Sequence, residues 1–203
     1  MFIANSEHVR ARIKKFYRRE AEIIYPPVRH EAHNMKHETK DFYLIISRLY
    51  HHKNIHIAIR AFNKLGWKLV IIGEGPERRR LENMAGPNIQ FLGYQSDATC
   101  SMLYASCLAF IMPQEEDFGI APVEAMMHGK PVLALKRGGA LEYVQEGMNG
   151  LFFDDPHEAV LADGIRRIRE MKFDPEIIKQ SAKKFSWQKF QLSFSNIINQ
   201  IAR

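Results

Sequence analysis

The chain has little cysteine, no long apolar run and none of the common glycine-rich phosphate loops. Cys100 and Cys107 are its only cysteines among 203 residues. They lie seven apart in a mostly apolar segment, with no Cys-x-x-Cys and no histidine-rich partner. That excludes a disulfide framework and speaks against zinc, so they read as buried free thiols sharing a helical face. No apolar stretch approaches the ~20 residues that cross a bilayer. The opening residues, Met-Phe-Ile-Ala-Asn-Ser-Glu-His, lack the basic segment and apolar run of a secretory signal. The expectation is a cytoplasmic chain. Neither a Gly-x-Gly-x-x-Gly fingerprint nor a Gly-Lys-Ser/Thr loop occurs, so the usual signatures of dinucleotide and P-loop sites are missing.

What is present bounds the answer from the other side. Apolar residues make up 46% of the chain, enough for one or two small domains with a real core. The net charge is +6, which admits nucleic acid, anionic lipid or phosphorylated small molecules without choosing among them. Much of the excess lies in Arg10, Arg12, Lys14, Lys15, Arg18 and Arg19. These fall between Val9, Ile13, Phe16 and Tyr17, whose spacing predicts a helix over 5–21 capped by Asn5 or Ser6. A solvated face is the plain reading. The sharper one is peripheral contact with acidic lipid headgroups at the inner membrane face. No aromatic-basic interleaving supports a nucleic-acid partner.

Residues 23–28, Ile-Ile-Tyr-Pro-Pro-Val, are extended, since each proline restricts the residue before it. Residues 29–40 read as a polar loop, with His30, His33 and His37 as scattered surface histidines rather than metal ligands. From residue 42 a rhythm begins. Apolar runs at 42–46, 68–72, 88–92, 108–112, 131–135 and 150–153 predict strands. Helical segments at 53–65, 77–85, 97–106, 121–128 and 140–146 separate them. The runs are continuous rather than alternating, so both sheet faces are covered. This predicts an α/β fold: a Rossmann-like parallel sheet with helices on both faces. The tail reads as helices at 155–170, 174–184 and 186–200. The last carries an apolar stripe of Trp187, Phe190, Phe194, Ile197 and Ile198 that must pack on something.

In such sheets ligands sit beyond the carboxyl ends of the strands. Every chemistry-bearing feature falls there. Ser47-Arg48-Leu49 follows the first strand, and Lys53 opens the next helix; a guanidinium and an ammonium can grip a diphosphate. Taken alone, they read equally well as surface cations. Gly73-Glu74-Gly75-Pro76 is explained by a tight turn. Tyr94 and Gln95 follow Gly93, where an aromatic can flank a base or simply pack at a rim. The stretch 115–125 is the densest. Gly119, Ile120 and Ala121 present backbone N–H groups at a helix start that favours anions, and Pro122 suits the first helical turn. Glu116 on the loop and Glu124 on the helix face one mouth and can accept hydrogen bonds from hydroxyls. Dipole stabilisation and solubility explain such acids equally well.

The ordered set of Ser-Arg-Leu with Lys53, Gly-Glu-Gly-Pro, Phe-Leu-Gly-Tyr, Glu116 and Glu124 within Glu-Asp-Phe-Gly-Ile-Ala-Pro-Val-Glu, and Gly-Gly-Ala-Leu-Glu-Tyr-Val before Asn-Gly-Leu-Phe-Phe resembles one family. It is the retaining, nucleotide-sugar-dependent glycosyltransferases of the two-Rossmann-domain (GT-B) type, group 1. The resemblance covers the chain from about Asn5 onward and implies the C-terminal, donor-binding half of such an enzyme. It implies that Arg48 and Lys53 hold the donor diphosphate and that Glu124 binds ribose hydroxyls. Glu116 then contacts the donor sugar, Gly119 to Ala121 lie near sugar and phosphates, and Tyr94 and Gln95 lie by the base. Glu116, Arg48 and Lys53 form the implied catalytic set. No metal and no cofactor is implied, the nucleotide-sugar being a substrate. The mannosyltransferases are the nearest in style, which makes GDP-mannose the first donor expectation and a UDP-sugar the second, with a glycan or glycolipid acceptor in polysaccharide assembly.

One departure is Asn54 where the family usually has glycine. Another is the absence of an acceptor domain ahead of residue 1. The implied division is a remnant of that domain's helix and the crossover over 1–40, the nucleotide-sugar domain over 41–185 and a return helix over 186–203. The chain therefore reads as half an enzyme, one candidate partner being a separate acceptor-domain chain. Alternatives are a non-catalytic nucleotide-sugar-binding module or subunit and, below it, a nucleotide-sugar epimerase.

Overall fold

A computed structural model describes residues 1–28 and 38–201. His30, His33 and His37, and most of the 29–40 loop, lie outside the described residues. The core element is a six-stranded, wholly parallel sheet. Its strands are β3 (Tyr43–Ile46), β4 (Leu69–Ile72), β5 (Ile89–Gly93), β6 (Phe110–Met112), β7 (Val132–Leu135) and β8 (Gly150–Phe153). They lie side by side in the order β5-β4-β3-β6-β7-β8. Chain order reverses between β3 and β6, the switch point where doubly wound sheets open a crevice.

Strand residues alternate between two cores, as a period of two requires. Tyr43, Ile45, Leu69, Ile71, Ile111, Leu133 and Leu151 pack against α2 (Ile55–Leu65), α3 (Arg78–Met84) and α7 (Glu158–Glu170). Leu44, Val70, Ile72, Phe110, Met112, Val132 and Phe152 face α4 (Asp97–Ser106), α5 (Ile120–Met127), α6 (Ala140–Tyr143) and α8 (Pro175–Ala182). The continuous apolar runs are thus consumed on both faces. Cys100 and Cys107 are free and belong to the second core, but Cys107 caps α4 rather than riding on its face.

The N-terminal reading needs correction. The helix α1 spans Glu7–Tyr17, not 5–21, because Arg18 turns left-handed at φ 53° and its N–H closes on the Lys14 carbonyl. The chain then forms β2 (Ala21–Ile23), parallel to β1 (Phe2–Ala4), a two-stranded sheet outside the main one. None of the α1 residues is buried, and Phe16 and Tyr17 point their rings outward. The terminal helix α9 (Trp187–Ile201) likewise buries Ile197 yet leaves Trp187, Leu192, Phe194 and Ile198 exposed. No described helix is long and apolar enough to cross a membrane.

The segment 25–28 and the turn ahead of α9 meet beside the sheet. Tyr25 packs edge-on to Phe185 at 5.0 Å and tilted on Phe118 at 5.8 Å. The Val28 N–H donates to the Phe185 carbonyl. Phe118 sits on the loop ahead of α5, so this aromatic cluster ties both segments to the carboxyl end of the sheet.

Candidate functional site

Arg48 is exposed at the carboxyl end of β3. Its loop is held on both sides. The Ser47 N–H donates to the Ile72 carbonyl and the Leu49 N–H to the Glu74 carbonyl. Gly73 has φ +130° and lies so close to this loop that a Cβ would overlap the Ser47 carbonyl oxygen. The Gly-Glu-Gly-Pro turn thus serves a close backbone approach as well as a change of direction. Among the described residues no carboxylate pairs with Arg48; its guanidinium lies 5.7 Å from the Tyr50 ring centroid.

Lys53 ends a short 3-10 turn, His51–Lys53, and is only 6% exposed. Asn54 follows at φ 55°, left-handed, and both caps that turn and opens α2. This is the physical reason for glycine at the position, and asparagine is the side chain that best tolerates the same conformation. Its amide also donates to the Pro113 carbonyl at 3.3 Å, linking the lysine turn to the acidic loop.

That loop carries Glu116. Lys53 Nζ donates to Glu116 Oε1 at 2.6 Å, and Gln114 Nε2 donates to the same oxygen at 2.9 Å. Gly139 N–H holds the Glu116 carbonyl at 2.8 Å. On either side, Asp117 pairs with Arg12 at 2.6 Å and Glu115 with His8 at 3.4 Å, so α1 spans the loop from outside. Glu142 in turn accepts from the Glu7 and His8 backbone N–H groups at the start of α1. Gly119 then turns at φ 91° into α5, whose first N–H groups and dipole point into the crevice. Arg48, Lys53, Glu116, Gly119, Ile120 and Ala121 line one cleft of about 420 Å³.

Glu124, one turn into α5, faces an adjoining cleft of about 380 Å³. Ile46 and Ile120 line both spaces. Tyr104 of α4 donates its hydroxyl to Glu124 Oε2 at 2.8 Å, which leaves Oε1 for a ligand. Burial raises the Glu124 pKa above the ordinary carboxylate value; the Tyr104 hydrogen bond lowers it only in part. Burial and the neighbouring Glu124 charge push the Tyr104 phenol well up, so it stays a donor. At the far end of α5, His128 Nδ1 lies 2.9 Å from the Glu124 carbonyl and Nε2 2.9 Å from Ser101 Oγ, tying α5 to α4.

Tyr94 and Gln95 stand apart from both linings. The Tyr94 ring is 80% exposed, its N–H is held by Glu74 at 3.2 Å, and Gln95 Nε2 turns back to the Leu92 carbonyl. Gln114, Tyr104 and Asp117 join the site without a sequence motif of their own. Tyr104 sits in an apolar helical stripe and looks like core, and Gln114 and Asp117 sit among acids in a loop.

Residues 29–185 match the family model described as "Glycosyl transferases group 1". An uncharacterised glycosyltransferase of Methanocaldococcus jannaschii, MJ1607, is 32% identical over 164 residues, covering 76% of this chain and 42% of that protein. The GDP-mannose-dependent alpha-mannosyltransferase of Corynebacterium glutamicum is 33% identical over 110 residues, covering 54% of this chain and 26% of its own. The crystal structure of Anabaena Alr3699/HepE in complex with UDP has a TM-score of 0.82 at 22% identity, over 98% of this chain and 63% of that one. The chain spans about half the length of the first curated relatives it matches.

Proposed function

The chain belongs to the glycosyl transferases group 1 family, and from that premise we propose that it is the donor-binding half of a hexosyltransferase. Its substrate is a nucleotide-sugar and its acceptor a glycan or glycolipid hydroxyl. The observation that carries the reading is one cleft at the switch point holding Arg48, Lys53, Glu116 and the start of α5 together. Two cations and a helix N-terminus match a diphosphate, and two carboxylates with free acceptor positions match sugar and ribose hydroxyls. Arg48 and Lys53 bind the diphosphate. Glu124 Oε1 accepts from the ribose, and Glu116 from the donor sugar.

In the transfer, the acceptor oxygen bonds to the anomeric carbon. The bond from that carbon to the phosphate oxygen breaks, and its electron pair leaves on the diphosphate. The acceptor proton passes to a diphosphate oxygen on the same face, so configuration is retained. The chain's contribution is to stabilise the charge that develops on the leaving diphosphate. GDP-mannose is the first donor, supported by the Corynebacterium relative; a UDP-sugar is the second, in line with UDP in the Anabaena structure. The exposed Phe16 and Tyr17 of α1 and the exposed stripe of α9 support a further domain or chain packed against these helices, which would supply the place for an acceptor.

Calorimetric titration with GDP and UDP tests this. One of them is expected to bind, and Arg48→Ala to weaken it at least tenfold. No binding by either, or binding untouched by the substitution, ends the donor-site reading. A chain that binds donor yet gives no transfer with any partner is a binding subunit, the reading that its half length also admits.

A further inference from the structure

Gln114 is 5% exposed and belongs to the wall of the cleft that holds Lys53 and Glu116. Its two amide atoms have unequal fates. Nε2 donates to Glu116 Oε1 at 2.9 Å, and that contact fixes the amide's orientation, since a carbonyl oxygen turned toward a carboxylate would be repelled. Oε1 is left buried with no hydrogen-bond partner. Only one other buried side-chain polar atom among the described residues shares that condition, the Tyr43 hydroxyl, which lies in the other core. Native interiors leave few such atoms, and each calls for an explanation.

A residue needed only to hold Glu116 would be better as a donor without a carbonyl to bury. The adjoining groups do not supply a donor to Oε1. Lys53 Nζ is directed to Glu116, the Asn54 amide to the Pro113 carbonyl, and Gly139 N–H to the Glu116 carbonyl. The acceptor is therefore unmatched within a residue of the cleft wall. The terminal amide torsion is broad, so a small turn brings Oε1 toward the cleft while Nε2 keeps its carboxylate.

From this we propose that Gln114 is a specificity-determining residue that reads one hydroxyl of the donor sugar. Oε1 accepts that hydroxyl's hydrogen, while Nε2 orients the Glu116 carboxylate against the same sugar. The two side chains form one acceptor pair, and a sugar lacking or inverting the shared hydroxyl leaves Oε1 unpaired. This rests on the donor-site reading above and goes beyond it by assigning the sugar end of the cleft to a residue outside the Glu116–Glu124 set.

The test measures the gain in affinity that the sugar confers, as the ratio between GDP-mannose and GDP, or UDP-glucose and UDP, in calorimetry on the full chain. Gln114→Met, apolar and of similar length, is expected to lower that ratio about tenfold, the loss of one good hydrogen bond. A series of donors each lacking one hydroxyl then locates the contact. One deoxy donor binds the unaltered protein more weakly than its parent, and Gln114→Met no longer distinguishes the two. Gln114→Asn, which keeps the amide but shortens its reach, falls between. An unchanged ratio, or the same ranking of deoxy donors with and without the amide, overturns the proposal while leaving the donor site standing. Failure of both nucleoside diphosphates to bind overturns the donor site and this inference together.

Discussion

Glu124 shows how a single carboxylate is set by its surroundings. Burial favours its protonated form, so its pKa in the folded chain exceeds the unfolded value. The folded state then holds the proton more tightly. The stabilisation this gives is complete below the unfolded pKa and is lost as pH rises through the raised folded value. Glu124→Gln removes that dependence and can keep the Tyr104 hydrogen bond through its carbonyl oxygen. Thermal unfolding from pH 4 to 8 should show the variant gaining on the parent as pH rises. The same change should weaken GDP or UDP roughly tenfold at pH 8, since a charged acceptor is exchanged for a neutral one. A parent whose stability follows the variant's at every pH would contradict the assignment. At this scale the sequence was a partial guide. Both glutamates, Arg48 and Lys53 were visible through their order along the chain. Asn54 was visible as a departure, and its left-handed φ explains it. Tyr104 was not visible, because a partner reached across two helices leaves no mark in local spacing; Gln114 was not visible either, because a separation of two residues in a loop does not show which way a side chain turns.

Among the elements, glycine pairs do the positioning. Gly139 has an ordinary helical backbone, so alanine there carries no left-handed penalty. A Cβ would nevertheless overlap the Phe118 main chain. Gly139→Ala should therefore destabilise the fold by about 1–3 kcal/mol, and it should displace the Glu116 loop, lowering nucleotide-sugar affinity as well. Chemical denaturation and calorimetry check the two effects, and an alanine variant as stable as the parent refutes the close approach. The six main strands were legible because each is a continuous apolar run that both faces must bury. The pair β1 and β2 was not. Each has three residues, half exposed, and their pairing joins segments separated by a whole helix. The helix end at Tyr17 was missed for a similar reason: Arg18 adopts the left-handed cap that glycine or asparagine usually marks.

Across the whole molecule, the apolar stripe on α9 is divided. Ile197 is 8% exposed and packs inward, whereas Phe194 lies outward, stacked on Phe190 at 5.8 Å. Ile197→Ala should cost about 2–5 kcal/mol. Phe194→Gln should change stability by no more than about 0.5 kcal/mol while reducing self-association in light scattering. Equal destabilisation by both would mean the stripe is internal. The sequence announced the stripe but not this division, which depends on tertiary packing rather than on helical spacing.

The contact between Lys53 and Glu116 pairs a cation of the cleft with one of its carboxylates. Each group answers the other's charge, so an arriving ligand has to separate them and satisfy both. A bare phosphate can claim the ammonium but leaves the carboxylate stranded; a neutral sugar can approach the carboxylate but leaves the ammonium stranded. On the proposed reading, a nucleotide-sugar carries an anion and hydroxyls together and so satisfies the two at once. On the donor-site reading, the pair then acts as a two-key lock that favours an activated sugar over inorganic phosphate or free hexose.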